Sequence, residues 1–294
     1  MRMIASLCTL LALSACSSLE PRPSSSTPAP VIATASAWHD DVVRISNGSD
    51  NTQRREAIVH LLSAAGIDAI EHPFATERHA GTNLVAPVSG DTISPLLLLG
   101  AHFDKVDVGD GVTDNASGSA VVLELARRFR QSPLQHHRVA VAFWDLEEKG
   151  LLGANAYVTG DNEKPALYVN FDIFGWGDTL WMMVQGSGHP LALATDAAAQ
   201  ARGIGLSAGE KYPPTDHLAF HKAGWPAVSF SLLDADEIEP LLQVFSRGKP
   251  ARMPKVMEVI HSQNDRLDQL APDQVETAID AVEAAFRAWD AGRR

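Results

Sequence analysis

Three groups of carboxylate and imidazole side chains stand where apolar runs stop. His102 and Asp104 come just after Leu96–Leu99, Glu147 and Glu148 just after the run at 139–144, and Asp172 directly after 167–171. Between the first two groups, the loop Thr113-Asp114-Asn115-Ala116-Ser117-Gly118 adds another carboxylate. Charges left unpaired in a buried strand end are costly, so groups placed there neutralise, pair or hold a metal ion. Hard oxygen donors and imidazoles suit a divalent cation. The chemistry implied is metal-assisted hydrolysis, with residues 96–148 forming half of the site.

The elements that must position these groups read as alternating helices and strands. Helices are expected over 38–46 and 51–65. In the second, Arg55, Ile58, Leu61, Leu62 and Ala65 form one face and Gly66 ends it. Strands are expected over 67–74 and 82–88, with a turn at 89–91. The run 96–99 is apolar throughout, which suits a central strand covered on both faces. A helix over 117–131 places Val121, Val122, Leu125 and Phe129 on one side. Further strands are expected at 138–144, 167–172, 180–184 and 227–232, and helices at 150–159 and 190–202. A terminal helix over 271–289 starts at Pro272, with Val275, Ile279, Val282 and Phe286 inside. This alternation predicts an α/β fold: a mixed, mostly parallel central sheet with helices on both faces, in three layers. Sites in such sheets form at the carboxyl ends of the strands, where three of these strands carry the ligand-type residues.

The chain has 294 residues, 45% hydrophobic and 20% charged, which is ordinary globular composition. Its formal net charge of -12 and lack of a basic run argue against a nucleic-acid partner. Residues 1–15 read as an export signal, with Arg2 before an apolar stretch far short of the roughly 20 residues of a membrane span. Leu13-Ser14-Ala15-Cys16 resembles a bacterial lipobox, which makes Cys16 the lipidation site; a plain signal peptide cleaved nearby is the other reading. Cys8 and Cys16 are the only cysteines, so the mature body has no internal disulfide. Residues 16–36 are rich in Ser and Pro and read as a tether. With no internal repeat and no second core, residues 37–294 are expected to form a single domain. The expected location is the bacterial outer membrane, facing the periplasm or the cell surface. The N-terminal lipid is the expected membrane contact.

Taken in order, the motifs resemble peptidase family M28, whose zinc aminopeptidases carry a two-metal site on an α/β fold. The resemblance covers most of the mature chain and rests on five separated motifs. It implies that His102, Asp114 and Asp172 hold one zinc ion, and that Asp114, Glu148 and His261 hold the other, with Asp114 bridging. Asp104 matches the acid that orients the His102 imidazole. Glu147 matches the general base, and Asp265 follows His261 as in the family pattern. A cis peptide at Asp114–Asn115 is also implied. Thr215-Asp216-His217 resembles the family's Ser-Asp-His loop, which makes Asp216 and His217 substrate-binding candidates. The implied activity is an exopeptidase acting on peptides, with Asp104 and Glu147 as the catalytic pair of acids.

Two segments depart from the family pattern and bear on pocket shape: Phe143-Trp144-Asp145-Leu146 before the Glu pair, and bulky Phe174-Gly175-Trp176 after Asp172. A second reading on the same scaffold is a glutaminyl cyclase with one zinc ion. In those relatives the bridging position is usually followed by Ser, so Asn115 favours the peptidase. A tethered, non-catalytic binding module is a third reading, and the complete ligand set argues against it. His39, His60, His72, His79, His136, His137, His189 and His221 match no motif and are expected at the surface or as caps. Trp176, Trp181 and Trp225 are expected to serve packing. The Gly-rich loop at 107–111 lacks the Gly-Lys-Ser/Thr of a phosphate loop.

Overall fold

The sheet is built around four parallel strands whose side chains are buried on both faces. The computed structural model describes residues 36–186 and 188–292, all within one compact unit. The signal peptide, Cys16 and residues 16–35 of the tether lie outside the described residues. The strands are β1 (Ile70–Ala75), β2 (Ala80–Ser89), β3 (Leu96–His102), β4 (Arg138–Trp144), β5 (Leu167–Phe171), β6 (Thr179–Met183), β7 (Gly205–Gly209) and β8 (Ala227–Leu233). They line up as β1-β2-β4-β3-β5-β8-β6-β7. The neighbours β4, β3, β5 and β8 run parallel, as do β6 and β7; the β1–β2, β2–β4 and β6–β8 pairs are antiparallel. The sheet is therefore mixed and mostly parallel, as expected.

Alternation along the strands divides the core. Leu97, Leu99, Val139, Val141 and Phe143 face one apolar cluster, while Leu96, Leu98, Ala140, Ala142 and Trp144 face another. The first is covered by α1 (Ala37–Ser46), α2 (Asn51–Ala64), α3 (Ser117–Gln131), α5 (Pro190–Gln200) and α9 (Pro272–Ala291). The second is covered by α4 (Leu152–Thr159) and α6 (His217–Lys222). Helices thus lie on both faces. A smaller third cluster joins Trp176 and Trp181 to α7 (Ala235–Phe245) and α8 (Lys255–Val259).

The elements that local pattern did not reveal have physical reasons to be hidden. Strand β7 is a half-exposed edge strand with glycine at each end. Helices α6 and α8 are six and five residues long, too short to show a 3.6-residue period. Helix α7 carries Pro240 within it. On α2 the buried arginine is Arg54 rather than Arg55, because backbone carbonyls of the loop after β3 accept its guanidinium donors. His137 is also a correction. It is buried, stacked on Trp289 with ring centroids 4.4 Å apart, and its Nδ1 lies 2.7 Å from Asp290 Oδ1. The Asp290 carboxylate also accepts the backbone N–H groups of Gln135, His136 and His137, so it ties the end of α9 to the start of β4.

These bonds hold the Asp290 carboxyl below its ordinary pKa despite its burial, with the bond to His137 the largest favourable contribution. A depressed folded pKa gives stability that is present above the unfolded carboxylate value and lost as pH falls through the folded one. Asp290→Ala is expected to cost about 2 kcal/mol in urea unfolding near neutral pH. That penalty should shrink as the pH is lowered below the usual carboxylate range.

Candidate metal centre

The carboxyl ends of β3, β4 and β5 meet at one point because the three strands are parallel neighbours, with His102 paired in register with Trp144. His102 is the last residue of β3, and its carbonyl accepts the Ser119 hydroxyl from α3. Asp104 lies just beyond. Its carboxylate accepts the backbone N–H of Glu147 at 2.9 Å and of Glu148 at 3.1 Å. Asp104 Oδ1 also stands 3.3 Å from His102 Nδ1. One buried carboxylate therefore faces the imidazole of β3 while bonding the loop that follows β4.

Asp114 lies in a π turn, Val112–Ala116, between β3 and α3. Its peptide bond to Asn115 is cis. Asp265 holds this turn, its carboxylate accepting the N–H of Thr113 at 2.6 Å and of Asp114 at 3.2 Å. Asp172 follows β5, and its Oδ2 accepts the Thr215 hydroxyl at 2.6 Å. Three non-glycine residues beside or in the site adopt the left-handed region: Leu146 at φ 60, Ile173 at φ 59 and His261 at φ 56. Such conformations cost on the order of 1–3 kcal/mol each, most for a β-branched residue such as Ile173. Each turns the chain sharply at or next to a ligand-type side chain.

The side chains converge as two groups that share Asp114. His102, Asp114 and Asp172 form one, and Asp114, Glu148 and His261 form the other; within each, the donor atoms lie within 4.8 Å of one another. His102 Nε2 is 3.2 Å from Asp114 Oδ1 and 3.5 Å from Asp172 Oδ1. His261 Nε2 is 3.1 Å from Asp114 Oδ2 and 3.2 Å from Glu148 Oε2. Donor atoms of a tetrahedral zinc ion stand about 3.3 Å apart, given bonds near 2.0 Å. One imidazole N–H cannot serve two carboxylates well, and the buried Asp172 Oδ1 has no hydrogen-bond partner. The donor set thus fits a pair of divalent ions, and it contains no thiolate.

Electrostatics in the metal-free chain show how crowded the acids are. Burial pushes Glu147 up to about 10; the His102 charge opposes this, and Asp216, Asp172 and Asp114 add to it. Burial likewise raises Glu148, against a hydrogen bond from His261. Burial would raise Asp114 as well, but hydrogen bonds from His102 and His261 hold it well below the carboxylate range. The bonds to Asp114 and Glu148 lift His261 to about 10 against its own burial. Burial opposes protonation of His102, yet Glu147 and the nearby carboxylates of Asp104, Asp114 and Asp172 raise it well above its ordinary value.

Asp216 stands near enough to this cluster to feel the charges of His102, Asp172 and Asp104, and neither it nor His217 belongs to either group. Both Asp216 oxygens are buried without a hydrogen-bond partner, and burial raises that carboxyl far above its ordinary pKa. His217 is buried against Tyr212 and His221, and burial lowers it to about 3, so it is neutral. The burial of Arg54 was not readable from local sequence; the family motifs pointed to the positions of Asp265 and Thr215, but not to the clamp and the bond they make.

A family model described as Peptidase family M28 matches residues 83–286, which contain all five donors. The chain belongs to peptidase family M28. The probable lipoprotein aminopeptidase LpqL of Mycobacterium tuberculosis is 36% identical over 117 residues, covering 38% of this M28 chain and 23% of that protein. The chain spans about a quarter of the length of the curated relatives it matches. Among solved structures, BSAP, a zinc aminopeptidase from Bacillus subtilis, superposes with a TM-score of 0.58 at 24% identity, over 72% of this chain and 51% of that one. The glutaminyl cyclase of Porphyromonas gingivalis superposes at 0.67 with 20% identity, over 87% of this chain and 97% of that one. Both are likenesses of fold.

A carboxyl whose folded pKa is raised gives stability that is whole below its unfolded value and lost as pH rises through the folded one. With Glu147 raised from 4.5 to about 10, the metal-stripped protein should lose thermal stability as pH rises across that interval. Glu147→Gln should flatten the fall in a thermal-melt series. An equally steep loss in the variant would show that Glu147 does not carry it.

Proposed function

We propose that this M28 chain is a zinc-dependent exopeptidase, an aminopeptidase that removes N-terminal residues from peptides with two zinc ions per chain. The observation that carries this reading is the sharing of Asp114 between two three-residue donor groups. Each group offers three protein donors, which is the count of a catalytic rather than a structural zinc. His102, Asp114 and Asp172 would hold one ion, and Asp114, Glu148 and His261 the other. Zinc held there supplies Lewis-acid polarisation of a carbonyl and acidifies water.

The chain's own residues supply the rest. Asp104 would orient the His102 ring from the Nδ1 side, 3.3 Å away, with Nε2 turned toward Asp114 and Asp172. A backbone bond to the same carboxylate anchors Glu147 near enough to feel the charges of His102, Asp172 and Asp114. Its carboxylate takes a proton from the attacking water and returns it to the leaving amine nitrogen. Cationic neighbours bring the carboxyl of Glu147 toward its ionised form, as the His102 charge already does. Buried Asp216 and His217 shape the substrate side. The export signal and Cys16 would place the enzyme on the outer membrane by a lipid anchor, facing the periplasm or the cell surface. The name of its relative LpqL is in keeping with this. No helix among the described residues is long and apolar enough to cross a membrane.

The cyclase reading is kept because that neighbour matches over nearly its full length. Metal analysis and a peptide panel separate the two. Two zinc ions per chain and cleavage of free but not N-blocked peptides are expected. One ion per chain, with ring closure of N-terminal glutamine, would replace the peptidase by the cyclase. Glu147→Gln should retain its zinc and lose roughly 10²- to 10⁴-fold in turnover. Near wild-type hydrolysis by that variant would remove Glu147 as the base.

A further inference from the structure

Arg54 lies on α2, outside the residues matched by the family model, and is fully buried. Its Nε donates to the Phe103 carbonyl, its Nη1 to that of Asp110 at 3.1 Å and its Nη2 to that of Gly111 at 3.0 Å. Phe103 directly precedes Asp104, and Gly111 stands three residues before Asp114. The guanidinium therefore grips both ends of the loop that separates these two carboxylates. Lys105 closes the loop internally, its Nζ donating to the carbonyls of Val106 and Gly109. Gly111 permits the approach: it has φ +61, and a Cβ there would meet Lys105 Cβ at 2.7 Å and Arg54 Nη1 at 3.1 Å.

A planar guanidinium has a fixed fork of donors, which suits three carbonyls held in set directions. Its charge has a use as well. Burial pulls the Arg54 pKa down to about 10, and the fields of Asp104, Asp265, Asp114 and Glu148 oppose that pull. The side chain is thus a cation at neutral pH beneath four acids of the site. A neutral donor could have bonded the same carbonyls without the cost of burying a charge.

We propose that Arg54 is a positioning residue for the metal pair, fixing the separation of Asp104 and Asp114 through the loop ends and offsetting the negative charge gathered there. This rests on the two-zinc reading above. The test uses the full chain with Arg54→Gln and Arg54→Lys. Zinc affinity is measured by competition with a chromogenic chelator, and thermal midpoints are taken with and without zinc.

Arg54→Gln is expected to weaken zinc binding about 10- to 100-fold, the range seen when support behind a ligand is removed. Arg54→Lys keeps the charge but has one nitrogen for three carbonyls, so it should fall between Gln and wild type. The rise in midpoint on adding zinc should shrink in both variants, because that rise reads differential binding to the folded state. A purely structural role would lower the stripped and loaded proteins alike and leave the rise unchanged. A folded variant with wild-type zinc affinity and a full rise overturns the proposal. If Arg54→Gln does not fold, Arg54→Lys decides by the same criterion. Wild-type protein that binds no zinc overturns the two-zinc reading, and this proposal with it. Wild-type binding matched by unchanged variants overturns the role of Arg54 alone.

Discussion

The Asp104 carboxylate is where two strand ends become one site. It accepts two consecutive N–H groups from the loop after β4 while facing the imidazole that ends β3. A carboxylate with two such partners is held in one orientation, fixes the backbone of the Glu147–Glu148 pair and sets its charge against the ring. Parallel pairing of β3 with β4 brings these partners within reach, and the left-handed turn at Leu146 lets the chain present both N–H groups to one acceptor. The other donors are placed relative to this join.

Around it, each donor group is held from behind by an element distant in sequence. Asp265 secures the turn of Asp114, and Thr215 bonds one oxygen of Asp172, leaving the other toward His102. The Thr215 bond continues inward. Asn170 donates to Thr215 and Ser229, Tyr168 to Asn170, and Trp144 to Tyr168. Such a buried polar network is stable only when its members are satisfied, and here its direction is set by Trp144 as donor and Asp172 as acceptor. The bulky Trp144, a departure from the family pattern, thus has a polar task as well as a packing one.

The fold was legible wherever apolar runs were long and continuous. The strands at 96–99, 138–144 and 167–172 and the helix at 117–131 carry enough periodic or unbroken hydrophobicity to be read alone. Of the five donors, His102, Glu148 and Asp172 were legible because charged residues at the ends of such runs are out of place without a partner; Asp114 stood out in the loop between two of these groups, and His261 only by the resemblance to the family motif. Arg54 was not legible, and Asp265 and Thr215 stood out only by their place in the family motifs. Each looks locally like an ordinary polar residue, and only tertiary contact reveals its partner. Arg54 illustrates the difficulty, since helical spacing admits either Arg54 or Arg55 on the inner face. His137 shows the same difficulty: local sequence suggests a surface or capping residue, while its acid, Asp290, lies 153 residues away.

One carboxylate belongs to both donor groups. Each oxygen of Asp114 faces a different histidine, so a charge brought to one side draws electron density away from the other. Were cations bound at both, the two positions would form a linked equilibrium, in which the first occupant sets the affinity for the second. By thermodynamic reciprocity, that influence is equal in either order of filling. Asymmetry enters through access, since His102 is enclosed while His261 is half open to solvent. Exchange with the surroundings would thus begin at the His261 side.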